Sequence, residues 1–89
     1  MLEREVTISN KLGLHARASA KLVQLLQGFK CDAWLVHRGR EINAKSIMGV
    51  MMLAAGIGNT ITLRCDGPDE ATALAAMAEL FERKFDEGM

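Results

Sequence analysis

Over residues 2–8 apolar and polar side chains alternate, with Leu2, Val6 and Ile8 on one face and Glu3, Glu5 and Thr7 on the other. A period of two predicts a strand with one wet face. Asn10 to Gly13 supplies turn residues, and the period then lengthens. Between residue 16 and about residue 27, Ala18, Leu22, Leu25 and Leu26, continued by Phe29, recur at helical spacing, while Lys21, Gln24 and Gln27 lie elsewhere on the wheel. Gly28 is placed to stop this helix. Residues 33–37 and Arg40–Asn43 form two short runs around Arg38-Gly39, which predicts a hairpin with Ala33 and Leu35 inward and Trp34 opposite. Ser46 stands as an N-cap before residues 47–53, a run that Gly49 limits to a turn and a half or two. Gly56-Ile57-Gly58-Asn59 leads into a strand over residues 60–65 with Ile61, Leu63 and Cys65 on one face. After Gly67-Pro68-Asp69, residues Leu74, Ala78, Phe81 and Phe85 mark a terminal amphipathic helix, and Glu79 with Arg83 adds an exposed i,i+4 pair.

The order βαββαβα, with every strand amphipathic, implies an α+β fold: one antiparallel sheet covered by helices on its inner face and wet on its outer face. A length of 89 residues leaves room for a single domain spanning residues 1–89, and 49% hydrophobic with 25% charged residues is a globular composition. Residues 46–63 carry no charge and reach the length of a membrane span, but Gly49, Gly56, Gly58, Asn59, Thr60 and Thr62 divide them into two soluble elements. The first six residues mix acid and base where a secretory signal needs a basic end and an apolar run, so a cytoplasmic location is expected. Eleven Lys plus Arg against eleven Asp plus Glu leave no net charge, which argues against nucleic acid or anionic lipid as a partner. Cys31 and Cys65 form no Cys-x-x-Cys and suit neither a disulfide scaffold nor a zinc site; two reduced, half-buried thiols are expected. Gly56-Ile57-Gly58 is not a dinucleotide loop, since Ile61 holds the third glycine position and a strand follows. His37 reads as a solvated polar residue of the hairpin.

The candidate chemistry lies in Gly13-Leu14-His15-Ala16-Arg17, where His15 falls at the opening of the first helix and Arg17 in its first turn. Unpaired amides there make a site for an anion. The helix start and Arg17 are both positive, so both oppose protonation of His15 and favour a neutral, nucleophilic imidazole near neutral pH. The same charges welcome a phosphoryl group. Spacing alone is also compatible with a histidine that merely caps a helix, so the surroundings decide.

Residues 10–22, together with Ile42-Asn43-Ala44-Lys45-Ser46-Ile47-Met48-Gly49-Val50 and the Gly-Pro-Asp-Glu start of the last helix, resemble the histidine-containing phosphocarrier (HPr) family of the bacterial phosphoenolpyruvate-dependent sugar phosphotransferase system. The resemblance covers essentially the whole chain. It implies an open-faced β-sandwich with strand order 1-4-2-3, and it implies that His15 accepts a phosphoryl group through Nδ1. Arg17 and the amides of Ala16 and Arg17 would hold the phosphate, with enzyme I as donor, enzyme IIA proteins as acceptors, and no metal or cofactor. A monomeric carrier, itself a substrate rather than an enzyme, is expected. Ala18 departs from the family, in which proline often follows the arginine, and Ser19 is a less common choice.

Ser46 resembles the serine that an HPr kinase/phosphorylase modifies, although as a residue type it also suits an ordinary N-cap. Ile47, Met48, Met51 and Met52 cannot all be buried by a two-turn helix against one sheet, so some of them should form an adaptable docking patch. Two alternatives are a carrier for a regulatory, nitrogen-related phosphotransfer branch and an RNA-binding βαββαβ module. The second lacks stacking aromatics on its third strand, where Arg40-Glu41-Ile42-Asn43 stands.

Overall fold

The computed structural model describes residues 1–87. Strand β1 (Leu2–Thr7) is followed by helix α1 (Ala16–Leu26), the hairpin β2 (Asp32–His37) and β3 (Arg40–Asn43), the short helix α2 (Ile47–Met52), strand β4 (Thr60–Asp66) and helix α3 (Glu70–Glu82). The sheet is antiparallel with order β1-β4-β2-β3. Leu35 faces Leu63, which in turn faces Arg4, and Ala33 faces Cys65. The alternation read from the sequence therefore places Ala33, Leu35, Ile61, Leu63 and Cys65 in the core, while Trp34, Val36, Thr62 and Arg64 lie half-covered on the open face. Helices α1 and α3 close the inner side with Ala18, Leu22, Leu26, Leu74, Met77, Ala78 and Phe81. Arg38 and Gly39, at φ of 51° and 78°, make a left-handed turn suited to the twist of a tight hairpin.

Leu2 points to the core face, as the alternation predicts, and stays exposed at the end of an edge strand. The structure corrects three local expectations. Gly28 follows α1 without adopting the left-handed conformation; the helix ends through short bonds from Gly28 N–H to Leu25 O and from Phe29 N–H to Leu26 O. Cys31 and Cys65 are fully buried rather than half-buried. Burial pushes the Cys65 thiol up to about 12, and burial together with Asp69 raises Cys31 as well. Phe85 is fully buried as its spacing suggests, but it lies outside α3.

That last difference shapes the molecule's end. Helix α3 stops at Glu82, and Lys84, Phe85 and Asp86 then turn through φ of 56°, 53° and 61°. Three successive non-glycine residues in the left-handed region are costly and need an anchor. Phe85 supplies it by packing edge-on to Phe81, with ring centroids 4.8 Å apart at 62°.

Candidate functional site

His15 is presented by a segment fixed on several sides. Gly13 has φ of 62°, and a Cβ there would lie 2.6 Å from the carbonyl oxygen of Ala55 and 2.7 Å from Cα of Gly56. No other residue fits that approach. Leu14 N–H donates to the same Ala55 oxygen at 3.1 Å, its side chain enters the core, and Ser19 Oγ donates to Leu14 O at 3.2 Å. The buried Asn10 donates from Nδ2 to Gly13 O at 2.8 Å. His15 then takes the N-cap position of α1 in extended conformation without capping it through its ring. The first helical bond runs from Ser19 N–H to His15 O, so the N–H groups of Ala16, Arg17 and Ala18 have no partner within the helix.

The imidazole, 27% exposed, meets a carboxylate that pattern reasoning missed. The terminal turn carries Glu87 onto His15, where Oε2 pairs with Nε2, and Oε1 accepts from Asn10 Nδ2 at 3.1 Å. Lys21 of α1 holds the turn by donating to Phe85 O at 2.5 Å. Burial pushes the Glu87 carboxyl up, but the hydrogen bonds from His15 and Asn10 and the charges of His15 and Lys21 outweigh it and leave the group below its ordinary value. An ionised carboxylate can only accept, so Nε2 carries the proton and, in a neutral ring, Nδ1 keeps its lone pair. To the positive helix start and Arg17 read from the sequence, the structure adds an anion that touches the ring from a segment 72 residues away. No periodicity could reveal this, because Phe85 mimics a continuing helix and the left-handed turn has no glycine to announce it.

Arg17 is exposed beside His15, and among the described residues its guanidinium holds no ion pair. Leu12, His15, Ala16, Arg17, Lys21, Asp86 and Glu87 line an open cleft of about 520 Å³, roomy enough to admit a phosphorylated side chain. Among the described residues no group of three or more His, Cys, Asp or Glu is placed to hold a metal ion, and no helix is long and apolar enough to cross a membrane.

The second region found from the sequence lies on α2, which packs against α1. Ser46 caps this helix, its Oγ accepting from Gly49 N–H at 3.1 Å. Val50 and Leu53 face inward and are buried, whereas Ile47, Met48, Met51 and Met52 are all exposed. Just beyond α2, Ala55 receives the Leu14 amide, so the end of the apolar patch and the approach to His15 share one packed junction. His37, 3.3 Å from Thr60 O through Nδ1, stays apart from both.

A family pattern described as "PTS HPr component phosphorylation site" matches residues 2–83. The chain belongs to the HPr family of phosphocarrier proteins. A phosphocarrier protein HPr from Xylella fastidiosa is 60% identical over 98% of both chains. The crystal structure of an HPr from Thermoanaerobacter tengcongensis superposes with a TM-score of 0.96 at 42% identity, covering 100% of each chain. A phosphocarrier protein NPr from Shewanella violacea is 48% identical over 97% of this chain and 94% of its own. The fold and strand order expected of the family are those observed.

Proposed function

We propose that this chain carries a phosphoryl group on His15 Nδ1, taking it from phospho-enzyme I and surrendering it to enzyme IIA proteins. One observation carries the reading: Nε2 is engaged by Glu87, so the remaining ring nitrogen is the nucleophile, in a cleft shared with Ala16 and Arg17, whose guanidinium holds no ion pair among the described residues. The Nδ1 lone pair attacks phosphorus in line as the donor's N–P bond breaks, and that electron pair returns to the donor nitrogen. The arriving group brings about −1.5 to −2 charges, and each charge-assisted bond from Arg17 or from the amides of Ala16 and Arg17 contributes roughly 1.5 to 3 kcal/mol. In this reading the transfer needs no cofactor or metal, and the carrier acts as a cytoplasmic monomer. It is a covalent intermediate rather than a catalyst.

A carrier must release each partner after one transfer. Donor and acceptor therefore share one small surface, below about 1,200 Å², formed by the His15 cleft and Ile47, Met48, Met51 and Met52. Ser46 sits at its edge as the regulatory site of an HPr kinase/phosphorylase. The likeness to an NPr supports one other reading, the same His15 chemistry serving a regulatory branch. An RNA-binding role has no comparable support: the open sheet face offers Trp34 without partners for base stacking.

Incubation with phosphoenolpyruvate and enzyme I should introduce one acid-labile, base-stable phosphate, and His15→Ala should abolish it. Uptake that persists in His15→Ala overturns the assignment.

A further inference from the structure

We propose that Glu87 is a positioning residue for phosphoryl transfer: the terminal turn holds its carboxylate on His15 so that the ring keeps its proton on Nε2 and offers Nδ1. This rests on the reading of His15 as acceptor. Glu87 lies beyond the last helix, yet its side chain is only 6% exposed. Burying a carboxylate is unfavourable unless specific donors meet it, and here both oxygens are met, by His15 and by Asn10. The turn that delivers it runs through three left-handed residues, a conformation that persists only where surroundings impose it. Three contacts impose it: Phe85 in the core against Phe81, Lys21 on the Phe85 carbonyl, and Asn10 on the carboxylate itself. Asn10 also holds Gly13 O, so one side chain ties the approach to His15 to the residue that orients its ring.

The transfer chemistry gives this arrangement a use. When a phosphohistidine donor passes its phosphoryl group, the new N–P bond forms on Nδ1 while Nε2 retains its proton, so the neutral imidazole becomes a positively charged ring. The donor ring loses the same charge. Glu87 faces the edge where that charge develops, and the dianion gathers on the opposite edge beside Arg17 and the helix amides. The other charged groups of the cleft, Lys21 and Asp86, oppose one another in sign and leave the Glu87–His15 pair as the directed contact. The arrangement parallels in logic a carboxylate that orients an imidazole for nucleophilic attack.

The test has two parts. In the full chain carrying ¹³C-labelled glutamate, the Glu87 carboxyl should titrate below the ordinary range and move up when His15 is replaced by Ala. This readout does not depend on phosphotransfer, so it separates the present inference from the assignment of His15. In assays with phospho-enzyme I, Glu87→Ala should lower the turnover of phosphate acceptance about tenfold with little change in KM, the low end for a charge-assisted hydrogen bond half open to solvent. Glu87→Gln should be equally slow, because an amide can accept from or donate to Nε2 and no longer selects a tautomer. Glu87→Asp should restore part of the rate, and Glu82→Gln, altering an exposed pair with Arg4, should leave it unchanged. Wild-type turnover in Glu87→Ala, or a Glu87 titration indifferent to His15, overturns the inference.

Discussion

Replacing Phe85 by Ala tests whether the end of the chain is held by its anchor. The ring is fully buried and packs edge-on to Phe81. Burial of such a side chain contributes roughly 1.5–3 kcal/mol, and the aromatic pair adds about 0.5–1.5. With the cavity left behind, a Phe→Ala change in a core costs about 3–5 kcal/mol. An opposing effect exists here. Lys84, Phe85 and Asp86 are all left-handed, at roughly 1–2 kcal/mol each, and a turn released from its anchor recovers part of that. The expected net loss is therefore about 2–3 kcal/mol, read as a lower midpoint in urea with an unchanged m-value. The Glu87 carboxyl should return to an ordinary titration in the same variant, since its delivery to His15 depends on the turn. A loss below about 1 kcal/mol refutes the anchoring argument, since a buried phenyl ring cannot be removed so cheaply. A loss of about 4–5 kcal/mol with Glu87 still on His15 refutes the release of strain.

Three further outcomes are expected. Ser46→Asp keeps a good N-cap and so the fold, but places charge beside Met48 and Ile47; phosphate acceptance from enzyme I should slow, and an unchanged rate would remove the basis for regulation at Ser46. Asp69 is held below the ordinary carboxyl value by the Lys30 N–H, then by the Cys31 N–H, both at 2.8 Å and against the effect of burial. Its stabilisation is therefore present above the unfolded value of about 3.9 and lost as pH falls through the lower folded value, so denaturation midpoints of Asp69→Asn should fall less steeply between about pH 5 and 3 than those of the wild type. Cys65, raised to about 12, and Cys31 should resist a thiol reagent near pH 8 until the chain unfolds; rapid labelling of folded protein would contradict their burial.

Much of the fold was legible because the signals were local. Alternation identified the strands with their inward residues, Arg38-Gly39 the hairpin, Ser46 the cap, and Gly13 to Arg17 the helix opening that bears His15. The strand order was not legible from periodicity and came through the family resemblance, since pairing β1 with β4 depends on contacts between distant segments. The exposure of all four patch residues on α2 was foreseen only in part, because a helical wheel does not say how much of a short helix the sheet and α1 can cover.

By itself, then, the sequence determined the elements, the core faces and the residue types at the helix opening, because hydrophobic period and capping act over a few neighbouring positions. Tertiary structure decided which charges meet His15. Phe85 has the spacing of a helix residue, and only its burial against Phe81, with Lys21 gripping the turn, makes the chain leave the helix and bring Glu87 back to residue 15. Such a contact is set by packing between the two ends of the chain, and no local pattern records it.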